Sequence, residues 1–590
     1  MRRLNSKIDR DVQTYALVEQ QVEQPTVGTN RTTTVTIVLI ALCTCAFIFC
    51  FLVSVGVLHY INQLENLLPP YVPYGNQLTI LGLKLLHKLG LTTSSPLQLA
   101  GSNTVFTVIT GIEFAIYALV ALLVRRQSSE QELRRSMLLI WAGVVIAGCI
   151  LLITPALISR DLFVYAGYGR SIIAHHINPY FIAPAKFPQD PITPLDDWRN
   201  ATAAYGPLWL VVCSLVSIVG GSSPTRYILL FRFLAFVIHL INALLVMIIL
   251  RTMGRSARTV TIGTLLYAWN PLVILEGGLS GHNDLFMITF ILLGILLCVR
   301  AEQRSFTRPV SYLLPAIAFT LATLVKFTAL PLIVLYLVLL ARKTLYPIMS
   351  EANKAICLQW KSAIIKVCAA SIATGLVVLL FYGPFFIGHS ISDIVNSFSS
   401  PPSSSQAEHS ILSIIVEWGT MYGTPTPGSL AYSLVQMLSN HHVWNDINIV
   451  VVLAGLIIGA VWLWRKPETR TLVFAAIVTL GGLLIVTTWF FPWYVTWLVG
   501  LAAVTMPTAH ERTGRALFAF ALTFSASARL LYLFLGNAPL PNWDAIGYSA
   551  TVIPPLLVLL LVLIFNVKMP GKTKPLLKRI PLEKDIVLKV

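Results

Sequence analysis

Charge is the scarce ingredient of this sequence: 11% of its 590 residues are Asp, Glu, Lys or Arg, against 56% that are hydrophobic, and the mean hydropathy is +0.76. That balance excludes a soluble domain and describes a polytopic membrane protein. Pairable cysteines are also wanting. Of eight cysteines, Cys43, Cys45, Cys50, Cys149, Cys298 and Cys368 fall inside apolar runs and Cys357 in a basic loop, which leaves no disulfide framework to expect. No Walker loop, Gly-x-Gly-x-x-Gly or His-Glu-x-x-His motif occurs, which argues against ATP drive, a Rossmann site for a nucleotide sugar, and zinc proteolysis. The first apolar run follows about thirty mixed residues and is too long for the h-region of a signal peptide, so it reads as a retained span.

What the chain has is apolar length. A span needs roughly 20 residues to cross about 30 Å of hydrocarbon, and helices are the only option for this pattern. Fourteen segments qualify: 35–58, 103–124, 136–158, 227–250, 259–279, 285–299, 310–325, 328–341, 364–387, 446–464, 470–490, 493–510, 515–535 and 547–566. The predicted fold is an all-α bundle of about 14 transmembrane helices, with short juxtamembrane helices in its larger loops. Its expected boundaries are a cytoplasmic tail at 1–34, one membrane domain at 35–566, and a basic cytoplasmic tail at 567–590.

The formal net charge of +17 sits in short basic runs between apolar segments, so it reads as topology and not as a nucleic-acid face. The segment "PLWLVVCSLVSIVG" at 207–220 decides the count. Taken as a span, it would put Arg251, Arg255 and Arg258 outside. Taken as a short helix on the outer leaflet, it leaves every basic loop and both termini cytoplasmic. The second count places 159–205, 281–284, Lys326 at a hairpin tip, 388–445, the corner "WFFPWYVTW" at 489–497, and 537–546 on one extracytoplasmic face.

Five features on or just beneath that face can carry chemistry. In "SRDLFVYAGYGR" (159–170), Arg160 and Asp161 precede a run of aromatics; an interfacial anchor is the plain reading, but the stiff, proline-rich loop behind it looks built to hold a shape. In "LEGGLSGHNDLFM" (275–287), glycines flank His282, Asn283 and Asp284, a costly way to make a turn at a membrane boundary. Oxygen coordination of a divalent cation by Asp161 and Asp284 is compatible with this spacing, although no His-x-x-x-His or paired-cysteine pattern supports a dedicated metal site. Lys326 interrupts an apolar run, either snorkelling at a hairpin tip or aimed at a lipid phosphate. Arg529, in "SASARLLYLFLG", lies deeper and wants an anion. The aromatic corner at 489–497 is an interfacial belt that can also stack on sugar rings.

A cavity with carboxylates above and cations at membrane depth suits a lipid-linked phosphate. The stretches "INPYFIAPAKFPQDP", "DDWRNATAAYGPLW", "WNPLVILEGGLSGHND", "LATLVKFTALPL" and "FPWYVTWLVGLAAV", together with 159–170, resemble the GT-C-fold, polyprenol-phosphomannose-dependent alpha-1,6-mannosyltransferases of bacterial cell envelopes. The resemblance runs from about 136 to 510. It implies inverting transfer of a hexose, mannose first, from a polyprenyl-monophosphate donor to a glycan or glycolipid acceptor in the cell membrane, with Asp161 as general base. On residue chemistry alone, Lys326 and Arg529, then Arg160 or Arg199, are expected to neutralise the donor phosphate, with His282, Asn283 and Asp284 orienting the acceptor or sharing a cation. A transporter or flippase for a lipid-linked substrate is the alternative, but repeated halves with broken helices in matching places are not found. A non-catalytic envelope scaffold would have no closed pocket under Asp161.

Overall fold

The computed structural model describes residues 27–61, 75–88, 99–155, 157–346, 359–399, 407–423, 425–507, 511–533 and 542–565; the tail expected at 567–590 and most of that expected at 1–34 lie outside them. Among the described residues the chain is helical throughout, with one isolated bridge between Glu408 and Trp489. Eleven of the described helices are long and apolar enough to cross a membrane.

The chain opens with α1 (Val27–Ile61), α2 (Gly75–Lys88), α3 (Leu99–Arg126) and α4 (Glu130–Leu152), the last started by a capping box between Ser129 and Glu132. A short α5 (Asp161–Ile173) and α6 (Pro207–Gly220) bracket the proline-rich loop, and α7 (Pro224–Thr252) returns through the bundle. Next come α8 (Ala257–Ala268), α9 (Pro271–Leu275) with a π turn at Glu276–Ser280, α10 (Asp284–Gln303), α11 (Pro309–Val325) and α12 (Leu330–Leu345). The remainder is α13 (Trp360–Phe386), three short helices α14 (Ile391–Ser399), α15 (Ile411–Tyr422) and α16 (Leu430–Leu438), then α17 (His441–Arg465), α18 (Thr469–Val486), α19 (Thr496–Thr505), α20 (Arg512–Leu530) and α21 (Trp543–Phe565).

Three of the fourteen expected spans are interrupted or short. The run 259–279 breaks after Ala268 because Pro271 has no N–H to give, and the Asn270 side chain caps Leu272 and Val273 instead. The run 493–510 is a 3₁₀ turn followed by α19, all ten of whose residues are buried. The run 310–325 is the 17-residue α11, about 25 Å long. Irregular backbone at membrane depth is tolerated where protein, not lipid, surrounds it. Burial sorts the rest: 67% of the apolar window of α10 and of α18 is covered, against 6% for α13, so the first two are central and α13 is peripheral.

The helix α6 has 14 residues and is about 21 Å long, too short to span. Its two ends bond to one end of the bundle, Gly206 N–H donating to Val325 and the Gly221 carbonyl accepting from Arg170. Gly206 permits this seating, since a Cβ there would lie 2.1 Å from the Leu324 carbonyl oxygen.

The two ends of the bundle carry different chemistry. At one end Arg258 donates to the Gln127 carbonyl, Lys343 pairs with Glu302, Glu302 also accepts from Thr469, and Arg470 pairs with Glu511. The other end gathers Asp161, the turn 281–283, Lys326 and the 489–497 corner.

Candidate active site

The Asp161 end is built on a knotted loop. Arg170 on α5 donates from Nε to both oxygens of Asp190 at 2.8 and 2.7 Å, His175 Nε2 lies 2.7 Å from Asp190 Oδ2, and the Ile192 N–H donates to Oδ1 at 2.9 Å. Burial would raise the Asp190 carboxyl, but the Ile192 N–H, His175 and Arg170 outweigh it and hold it below the usual carboxylate range. Asp196 caps the next turn by accepting from the Trp198 N–H at 2.8 Å. Burial pushes its carboxyl up to about 7, and Asp197 and Asp161 add to that rise while the Trp198 N–H opposes it. The prolines and this ion knot fix the loop that brings Trp198 and Tyr205 to Asp161, the first residue of α5.

Below the loop is a cavity of about 330 Å³. Asp161 and Lys326 line it together with Tyr168, Trp198, Tyr205, Trp489, Phe491, Trp493, Tyr494 and Trp497. The corner is braced from outside, where Glu408 N–H donates to the Thr488 carbonyl and Trp489 packs edge-on against Trp198. The aromatic corner expected as a belt is thus also a cavity wall.

Lys326 follows α11 in an extended conformation, so the helix ends there and its side chain is released toward the cavity. Its Nζ donates to Asp284 Oδ1 at 2.8 Å and sits 4.1 Å from the Tyr494 ring centre and 5.2 Å from that of Trp497. The Trp497 indole N–H donates to the same Asp284 oxygen at 2.6 Å. The divalent cation considered for Asp161 and Asp284 therefore meets a protein cation on Asp284. Among the described residues no three His, Cys, Asp or Glu side chains are grouped as for a metal ion.

The turn 281–283 stands one layer behind. Gly281 holds φ +76, a left-handed value that lets the π turn close and α10 begin. His282 stacks on Trp493 at 3.9 Å, with Nδ1 2.5 Å from Glu276 Oε2 and Nε2 3.1 Å from Ser159 Oγ and 3.8 Å from Asp161 Oδ2. Tyr165 donates to Asn283 Oδ1 at 3.5 Å. His282, Asn283 and Asp284 are each at most 2% exposed and are not among the cavity-lining residues; they stand behind Asp161, Lys326 and the aromatic wall. Burial pushes the Asp161 carboxyl above its usual range; His282 and Lys326 pull it down, and Asp284 and Asp197 push it further up. A carboxyl so tuned, one-fifth exposed at a cavity wall, is suited to taking a proton.

The other expected phosphate ligands are elsewhere. Arg529 is buried on α20, its guanidinium 2.5 Å from Glu113 on α3 and donating also to the Pro271 carbonyl and to Thr110. The anion it wants is an internal glutamate. Arg160 turns to Asp197 at 2.9 Å on the loop surface, and Arg199 is exposed on the same loop. Glu113 and Glu276 are buried acids in apolar stretches that the sequence reading passed over, although an acid inside an apolar run is itself a signal. Tyr168 belongs to the run of aromatics noted after Asp161, whereas Tyr205 is an ordinary interfacial aromatic in sequence and carries no signal of its own.

Comparison with known proteins bears on this same region. Residues 84–342 match the sequence model described as alpha-(1->6)-mannopyranosyltransferase, N-terminal domain. The resemblance to that family is real. The domain so matched includes the knotted loop, Asp161, the 281–284 turn and Lys326. Over 158 residues the chain is 28% identical to alpha-(1->6)-mannopyranosyltransferase A of Mycobacterium tuberculosis, covering 26% of this chain and 29% of that protein. Over 153 residues it is 25% identical to the protein of the same name from Corynebacterium glutamicum, covering 25% of this chain and 30% of the other. The aligned stretch therefore spans about three-tenths of either relative's length. No solved structure gives a significant match.

Proposed function

We propose that this chain is an integral-membrane mannosyltransferase that transfers mannose from a polyprenyl-monophosphate donor to a hydroxyl of an acceptor glycan or lipoglycan, with inversion, on the extracytoplasmic face. The observation that carries the reading is the pairing of Asp161 and Lys326 on the wall of one aromatic cavity, within the stretch that matches the mannopyranosyltransferase domain. An alcohol is a weak nucleophile when neutral, so the acceptor hydroxyl gives its proton to Asp161 as its oxygen bonds the anomeric carbon. The bond from that carbon to the phosphate oxygen breaks at the same time, and polyprenyl phosphate leaves with one more negative charge than the bound diester carried. Lys326, held by Asp284 yet facing the cavity, is the cation for that growing charge. Aromatic rings of the cavity wall are available to pack on the sugar. The basic loops at the other end fit a cytoplasmic side.

The test incubates purified protein with a panel of polyprenyl-phosphate hexoses and a glycan acceptor. Mannose is expected to be the sugar transferred. Asp161→Asn keeps the side chain's size and removes its basicity, so turnover is expected to fall about 10² or more with donor binding little changed. Full transfer by Asp161→Asn would remove Asp161 from the mechanism, and release of no sugar from any donor by the wild type would remove the enzymatic reading.

A further inference from the structure

We propose that Glu276 is a positioning residue for the reaction: it clamps the His282 ring so that Nε2 faces Asp161, and thereby holds the base in place from behind. This rests on the reading of Asp161 as the base. Glu276 is fully buried in the π turn between α9 and α10. Both of its oxygens are committed, Oε2 at 2.5 Å to His282 Nδ1 and Oε1 accepting from the Tyr532 hydroxyl just past α20.

Glu276 occupies Nδ1 of His282, so Nε2 is the nitrogen left to the site. Nε2 meets Ser159 Oγ at 3.1 Å and Asp161 Oδ2 at 3.8 Å, and Ser159 Oγ in turn accepts from the Asp161 N–H at 3.2 Å. The ring has little freedom to leave this register. Trp493 stacks on one face at 3.9 Å, and that same Trp493 is cavity wall. The chain Tyr532, Glu276, His282, Ser159 and Asp161 thus joins the end of α20 to the residue at the cavity. A carboxylate at this depth is costly. A hydrophobic side chain would leave His282 Nδ1 and the Tyr532 hydroxyl without this partner, whereas a hydrogen-bonding group at 276 fixes which nitrogen of the imidazole faces Asp161.

Glu276→Gln keeps the volume but presents an amide, which cannot accept at both ends. Losing a charge-assisted hydrogen bond is expected to lower kcat about tenfold to a hundredfold, with KM for the lipid donor within about twofold because neither residue touches it. His282→Gln is expected to give a similar fall, and the double variant to be no slower than His282→Gln alone, since Glu276 acts only through the imidazole. Effects that multiply, or a kcat left unchanged by Glu276→Gln, overturn the proposal. Should Glu276→Gln not fold, Tyr532→Phe replaces it: a kcat fall of about threefold at constant KM supports the clamp, and unchanged kcat overturns it. Assaying Asp161→Asn on the same donor separates the two claims. An inactive Asp161→Asn beside a fully active Glu276→Gln defeats the clamp alone, whereas an active Asp161→Asn defeats the base on which it rests.

Discussion

Arg529 and Lys326 each carry a positive charge into the helix bundle, and each has an acidic partner at hydrogen-bond distance. Arg529 is 1% exposed and is enclosed by Glu113, the Pro271 carbonyl and Thr110, with Phe51 and Phe106 beside its guanidinium. Lys326 is 15% exposed, shares Asp284 with Trp497, and keeps a face on the cavity. The difference lies in what is left over once the partner is satisfied. The Arg529 guanidinium is sealed in the bundle and does not line the cavity, so any N–H its three partners leave is closed to a substrate. An ammonium with three donors, one of them engaged by Asp284, still has donors to offer. Burial and charge alone therefore do not mark a functional cation; a free face does.

The largest expected effect tests the closed pair. Arg529→Met strands Glu113 in the core, which is expected to destabilise the protein by about 3–5 kcal/mol, while turnover per folded molecule stays near wild type. Glu113→Leu in the same background should restore most of the melting temperature, because an apolar pair can replace a buried ion pair. A variant with unchanged melting temperature and lost donor use would return Arg529 to the phosphate site and break the contrast.

Lys326→Gln tests the open pair, with the opposite signature. Removing a cation from a low-dielectric phosphate site is expected to cost about 2–3 kcal/mol in the transition state, a fall of roughly a hundredfold in kcat/KM, with a smaller change in melting temperature than Arg529→Met. Transfer kinetics and thermal unfolding on one preparation read both quantities. Lys326→Gln with intact kinetics and a large loss of stability would make the two cations the same kind.

The contrast also marks what the sequence could reveal. Apolar length and the positions of arginine gave the helical bundle, the short helix at 207–220 and the hairpin tip at Lys326, since these follow from local composition. His282 and Asp284 stood out because polar residues beside glycine at a span end are locally expensive, and Asp161 because it follows a span beside Arg160 with aromatics and a stiff, proline-rich loop behind it. Arg529 stood out equally, and its partner Glu113 comes from a helix near the other end of the chain; a single sequence holds no local signal for that pairing. The interruption after Ala268 and the shortness of the helix after the 489–497 corner were hidden for a related reason. An apolar run reads as a continuous span whether lipid or protein surrounds it, and only packing distinguishes the two cases.

The smallest expected effect concerns a third buried charge, Asp190, whose side chain is 3% exposed and paired with Arg170 and His175. Like Arg529 it is closed, but it lies in the loop that brings Trp198 and Tyr205 to Asp161 and not among the spans. Its folded carboxyl sits below the usual range, so the unfolded state binds protons more readily and the pair's contribution is fully present above the ordinary carboxylate pKa of about 4. As pH falls through the folded value, that contribution is lost. Asp190→Asn is expected to lower stability by about 1–2 kcal/mol at pH 7, with the gap in melting temperature from wild type steady down to about pH 5 and closing below it. Asp161 has the reverse sign: its folded carboxyl is raised, so its ionisation disfavours folding as pH rises through that value, and Asp161→Asn should leave stability unchanged or slightly higher at neutral pH. Melting curves of both variants across pH therefore separate a carboxylate that holds the loop from one that the loop holds for use. If the Asp190→Asn gap did not change with pH, the loop's ion knot would contribute through packing alone.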